Sequence, residues 1–210
     1  MYQVSIKNIF LLSLIFFSFI SLAEEAFQAG KHYQVLAEPI ATRDPKKIEV
    51  IEFFWFGCGH CYSLENQLNA WEKNITEDVD FWRSPITWNE MAKTHAKLFF
   101  AAELLDKPEI ITSTFIAIHA NQSMMTSPRE IKPFFASFGI SADEYEKLFN
   151  SFGMRNKIRR AETFGLKYDV RGVPAFVVNG KYKVSASRNL GTNKLLDVVD
   201  YLIKLEEKKL

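Results

Sequence analysis

Apolar residues recur along this chain with two different periods, and the switch between them divides it. An apolar run from Ile9 to Ile20 follows the lone charge of Lys7 and leads into Ser21-Leu22-Ala23. This is a basic n-region, a short h-region and a small-x-small cleavage site, so Glu24 is the expected first mature residue. The run falls short of the ~20 apolar residues of a spanning helix, which favours a cleaved signal peptide over residues 1–23 rather than a retained anchor. His32 to Leu36 then predicts a short edge strand, and Pro39 with Arg43-Asp44-Pro45 a loop. Lys47 to Phe54 carries apolar residues on both faces, which predicts a central strand covered on both sides and ended by Gly57. From Gly59, Leu64, Leu68 and Trp71 recur at helical spacing, with Glu65, Asn66 and Lys73 on other faces. Val79 to Ser84 predicts a second strand, closed by Pro85 and completing a strand–helix–strand unit.

Between about Met91 and Phe164 the period is almost entirely helical. Ala92–Leu105 predicts one helix, and Pro108 starts a second that runs to about Ala120. Ser127-Pro128-Arg129-Glu130 and Ser141-Ala142-Asp143-Glu144 read as capping boxes that open a third and a fourth. Met154 to Phe164 predicts a fifth, with Gly165 as its stop. Strands then return. Ala175–Val178 is a buried strand, Asn179-Gly180 a hairpin turn, and Lys181–Val184 the returning strand. Asn193–Leu205 is a closing helix with Leu195, Leu196, Val199, Leu202 and Ile203 on its apolar face and Thr192 as the expected N-cap. The pattern is α/β, a mixed sheet interrupted by an all-helical block.

Composition narrows the function classes. The chain has 210 residues, 48% of them hydrophobic and 24% charged, enough for a real core without disulfide staples. Its formal net charge is +1, and loss of Lys7 with the signal peptide leaves acidic and basic side chains balanced. No basic patch points to nucleic acid, and no acidic tail to a solvating role. The only two cysteines are Cys58 and Cys61, too close to form a disulfide framework. Export would place them where disulfides persist.

A Cys-x-x-Cys pair at the start of a helix has specific chemistry. Cys58 would lie at the N-terminus, where free N–H groups and the helix dipole favour a thiolate. Cys61 would lie one turn in and more covered. An attackable sulfur and a resolving sulfur are the two roles thiol–disulfide exchange requires. His60, between them, would stabilise the Cys58 thiolate further. Two other readings remain. The pair can be half of a zinc site, although His32, His60, His95 and His119 form no second pair at ligand spacing. It can also be an inert disulfide closing a small loop with little entropic benefit.

Phe53-Phe54-Trp55-Phe56-Gly57-Cys58-Gly59-His60-Cys61-Tyr62, followed downstream by Arg171-Gly172-Val173-Pro174-Ala175 and Val178-Asn179-Gly180-Lys181-Tyr182, closely resembles the bacterial DsbA family of periplasmic disulfide-introducing proteins. The resemblance covers nearly the whole mature chain. It implies a thioredoxin fold with an inserted all-helical subdomain: a first thioredoxin part over residues 24–88, the insertion over 89–161 and a second part over 162–210. The long stretch between Cys61 and Pro174 matches that insertion and disfavours a plain thioredoxin module. It also implies that Val173 and Pro174 form a cis-Pro loop that faces the cysteines and aligns substrate. An acidic cysteine and an oxidising pair belong to the same expectation. Gly59 departs from the pattern, which often has Pro there, and leaves the redox potential open. In the family a buried acid lies beneath the resolving cysteine with a basic partner on the next strand. Glu52 and Arg83 match those places, so Glu52 is expected to take part in proton transfer at Cys61 with Arg83 holding it ionised. Trp55 or Phe56 is expected to contribute to an exposed apolar patch, and Met124 and Met125 to be loop or packing residues.

The activity implied is a periplasmic dithiol oxidase that gives disulfides to reduced exported proteins. It would need no cofactor and no metal, and a DsbB-like membrane quinone reductase would reoxidise it. A monomer is expected. The alternatives are a disulfide isomerase or reductase, and a non-enzymatic binding module or metal carrier using the two thiolates.

Overall fold

The computed structural model describes residues 27–187 and 190–209, so the expected signal peptide over 1–23 lies outside the described residues. Five strands form one sheet in the order β1-β5-β4-β2-β3. They are β1 (Gln34–Val35), β2 (Ile48–Phe54), β3 (Val79–Pro85), β4 (Ala175–Val178) and β5 (Tyr182–Ser185). β2 runs parallel to β3 and antiparallel to β4, so the late strand β4 inserts beside the early strand β2. All seven residues of β2 are buried, as the apolar character of both its faces predicts.

Helix α1 (Gly59–Glu72) connects β2 to β3. Alternation along β2 then sorts the core. Ile48 and Val50 pack with Leu64 and Leu68 of α1 and with the closing helix α7 (Leu195–Glu207). Ile51 and Phe53 face the other way, with Ala92 and Tyr168. Glu52 alternates with Ile51 and Phe53, so its carboxyl falls on the α1 side.

The chain between β3 and β4 forms α2 (Glu90–Leu104), α3 (Glu109–His119), α4 (Pro128–Ala136), α5 (Ala142–Phe149) and α6 (Phe152–Lys167). Their shared core includes Leu98, Phe99, Phe115, Phe135 and Met154, and it extends to Phe54, Phe56 and Cys61 beside the dithiol segment. The fold is thus a thioredoxin domain carrying an inserted helical subdomain.

Three helix boundaries differ from the sequence pattern. α6 starts earlier than Met154 because the Ser151 hydroxyl accepts from the Met154 N–H at 3.0 Å. It also runs through Gly165 to Lys167 and is stopped by Asp169, whose φ of 46° breaks the helix. Thr192 does not cap the last helix. It opens a short 3-10 turn, and α7 begins at Leu195 without a side-chain cap. The β4–β5 turn is as its sequence predicts: Asn179 and Gly180 both have positive φ, 50° and 60°. A Cβ on Gly180 would lie 1.9 Å from the Ile40 carbonyl oxygen, so this turn requires glycine twice over.

Candidate dithiol site

The site is assembled where β2 gives way to α1. After Phe54 the chain turns over Trp55-Phe56-Gly57-Cys58, with the Cys58 N–H donating to the Trp55 carbonyl at 3.0 Å. The Trp55 indole lies across Gly57, where a Cβ would come within 2.4 Å of the ring. Only glycine permits that approach. Cys58 is the N-cap of α1, with extended φ/ψ of −92° and 114°. Its Sγ takes the place of a capping oxygen and accepts from the Cys61 N–H at 3.3 Å.

Both cysteines are free thiols, Cys58 half-buried and Cys61 buried. Their acidities are split. The Cys58 thiol is lowered to about 6, chiefly by the hydrogen bond from the Cys61 thiol, against the cost of burial. The N–H groups of Cys61 and His60 add to that stabilisation, and the His60 charge adds a smaller share. Cys61 moves strongly the other way, through burial first and then through its bond to Cys58 and the charge of Glu52. At neutral pH the first sulfur is mostly thiolate and the second a thiol.

The Val173–Pro174 bond is cis, and the loop lies against the cysteines. As a thiol, Cys58 donates to the Val173 carbonyl at 3.5 Å. Gly172 and Arg171 beside it line a cleft of about 640 Å³ that also touches Tyr33, Asp169 and Lys183. Gly59 and His60 are exposed at the start of α1.

Beneath α1 lies a buried ionic cluster. Glu52 pairs in register with Arg83 of β3, and the Arg83 Nε donates to its carboxylate. Arg83 also forks onto Glu65 of α1 at 3.0 and 2.9 Å. Its guanidinium carbon lies 4.3 Å from the centre of the Phe54 ring. Glu65 was expected on an outer face of α1 because it is charged, but it is only 4% exposed. It follows Cys61 by four residues and so shares its face, a spacing that offered the clue. Burial raises Glu52 to about 7, outweighing the attraction of Arg83. Arg83, despite its own burial, is kept protonated by both carboxylates. Arg83 favours the ionised form of Glu52, as the sequence suggested, but burial opposes it more strongly. The guanidinium is divided between two acids, and desolvation prevails.

The aromatic residues also fall differently from expectation. Phe56 is 1% exposed and packs into the helical core, because the turn carries it inward. Trp55 is half-buried and stacks on His95 at 6.0 Å. The exposed ring at the site is Tyr62, at 37%. Met124 is exposed and offers its carbonyl to His95, while Met125 is buried. No group of three or more potential metal ligands occurs among the described residues.

Residues 72–196 match the family model described as a DSBA-like thioredoxin domain. A thiol:disulfide interchange protein DsbA from Azotobacter vinelandii is 36% identical over 187 residues, covering 89% of this chain and 87% of the relative. The protein of the same name from Pseudomonas aeruginosa is 33% identical, covering 86% of each chain. A crystal structure of Pseudomonas aeruginosa DsbA superposes with a TM-score of 0.81, at 33% identity, over 87% of this chain and 96% of that one. Xylella fastidiosa DsbA gives a TM-score of 0.79 at 27% identity, over 87% and 98%.

Proposed function

The chain belongs to the DsbA family of thiol:disulfide interchange proteins, and on that premise we propose that it oxidises exported proteins through the Cys58–Cys61 pair. It is a thiol–disulfide oxidoreductase acting on protein substrates. The observation that carries the assignment of roles is the placement of two sulfurs one helical turn apart: Cys58 Sγ caps α1 and faces its N–H groups, while Cys61 is buried.

In the oxidised protein, a substrate thiolate attacks Cys58 Sγ. A substrate–Cys58 disulfide forms and the Cys58–Cys61 bond breaks. The displaced Cys61 sulfur is buried and basic, so it takes up a proton. Glu52, titrating at about 7 beneath α1, supplies it. A second substrate thiolate then attacks the substrate sulfur and expels Cys58, which leaves readily because its thiolate is stabilised. The substrate gains one disulfide and the protein is left as the dithiol. Val173 and Pro174 align the substrate chain against Cys58, and His60 and Gly59 tune its acidity. The acting protein is periplasmic and monomeric, with residues 1–23 removed, and a DsbB-like quinone reductase restores its disulfide. The division into thioredoxin parts 24–88 and 162–210 around an insertion 89–161 belongs to the same reading.

Equilibration of the pair with glutathione buffers tests the donor role. An oxidising potential, well above that of glutathione, supports it. A thioredoxin-like, reducing potential would overturn it in favour of a reductase. Stoichiometric metal retention without exchange would replace it with a metal carrier.

A further inference from the structure

One side chain from the helical insertion reaches the turn that delivers Cys58. His119 lies in the last turn of α3, and its Nε2 is 2.7 Å from the Phe56 carbonyl oxygen. A carbonyl only accepts, so Nε2 carries the proton and donates. Phe56 is the second residue of the Trp55–Cys58 turn. The inner bond of that turn is the Cys58 N–H to the Trp55 carbonyl, and the outward-facing Phe56 carbonyl is taken by His119.

The imidazole is itself held in place. It stacks on Tyr62, the residue after Cys61, with centroids 4.7 Å apart and planes within 6°. Phe115, one helical turn before His119, backs both rings at 6.0 and 6.2 Å. Phe115 also meets Phe56 edge-on at 4.7 Å. Rings from α3, from the turn and from the first turn of α1 thus bracket the dithiol segment on both sides of its cysteines.

We propose that His119 is a positioning residue of the dithiol site: its N–H tethers the Phe56 carbonyl and so fixes Cys58 Sγ over the first N–H groups of α1. The contact that gains from this is the 3.3 Å bond from the Cys61 N–H to Cys58 Sγ, which is strongest when the sulfur is a thiolate. Loosening the turn weakens that bond in the reduced protein and has no equivalent effect on the disulfide. His119 therefore sets part of the oxidising strength from a helix outside the thioredoxin unit. The proposal rests on the reading of Cys58 as the acidic, attacked sulfur.

The test compares H119F, which keeps a ring on Tyr62 but removes the donor, with H119Q, whose amide N–H can still reach the carbonyl. Cys58 acidity is followed by thiolate ultraviolet absorbance, and the dithiol–disulfide equilibrium by glutathione titration. H119F should raise the Cys58 pKa and make the protein's disulfide about threefold to tenfold harder to reduce, the factor one hydrogen bond is worth. H119Q should recover most of both changes. H119A removes the donor equally and serves if H119F folds poorly. A merely structural role would lower thermal stability and leave pKa and equilibrium unmoved, which would overturn the tether. So would H119Q behaving like H119F. Failure of the wild-type protein to exchange disulfides sinks the proposed function instead, whereas the absorbance titration still decides the tether.

Discussion

Cys58 and Cys61 are the same residue type three positions apart, yet one is lowered to about 6 and the other raised beyond an ordinary thiol. The difference is placement. Cys58 sits at a helix N-terminus with N–H groups facing it, and Cys61 is 1% exposed in an apolar core. An alkylating reagent at pH 7 should therefore label Cys58 of the reduced protein almost exclusively. Mass spectrometry of the C58S and C61S variants checks this, and comparable labelling of Cys61 would refute the split. Glu52 makes a second test at this scale. With a pKa of about 7, it passes from acid to carboxylate across the neutral range. E52Q should slow exchange and remove a titration near pH 7 from its rate profile. An unchanged profile in stopped-flow kinetics would end its role in proton transfer. The Cys-x-x-Cys chemistry was legible in the sequence because its parts are adjacent. Glu65 was misread because a charge suggests solvent, although its distance from Cys61 already placed it on the buried face. His119 gave no signal, since its partners Phe56 and Tyr62 are brought to it only by tertiary packing.

At the level of elements, the strands and helices were readable where local rules decided them. The Asn179-Gly180 hairpin, the α5 capping box and the doubly covered β2 follow from turn chemistry, capping and pattern alone. In that box the Ser141 N–H donates to Glu144 at 2.8 Å. Gly165 failed as a stop because Phe164 and Tyr168 pack across it, on Trp82 and Phe53, and the helix continues to Lys167 before Asp169 stops it. Packing there outweighs the ~1 kcal/mol a helical glycine costs. Gly180 allows no such compromise. G180A must accept a positive φ and displace the Ile40 carbonyl, so it should lose about 2 kcal/mol or more in urea unfolding. One buried acid ties the end of α7 to the β4–β5 hairpin. Glu206, 2% exposed, accepts from Lys181, Lys209, Asn179 and Tyr182, and these partners hold it at about 2 despite its burial. E206A strands those donors and should cost about 2–3 kcal/mol. A variant as stable as wild type would show the cluster to be dispensable.

For the whole molecule, the acidity of Cys58 links redox state to stability. An ordinary thiol titrates near 9 and Cys58 near 6, so the folded dithiol form ionises where its unfolded chain does not. The depressed value contributes stability that is fully present above about 9 and is lost as pH falls through about 6. The disulfide form has no such group. The melting temperature of the reduced protein, relative to the oxidised one, should thus fall as pH is lowered across that window. A difference independent of pH would contradict the assignment. The overall architecture was legible from the alternation of periods, but the way the insertion shares a core with Cys61 was not. A helical pattern shows that a face is apolar without showing which partner it meets.

The position of β4 in the sheet has a consequence in time. Among the described residues it is the fourth strand in chain order but lies between β2 and β5, and β1 pairs with β5 alone. A chain delivered from its N-terminal end therefore presents both thiols long before the loop that will face them. Until residues 173–185 emerge, β2 lacks a neighbour on one side and β1 has none. The nascent protein carries its two sulfurs as an unguarded substrate, and only the last fifth of the chain converts them into a tool.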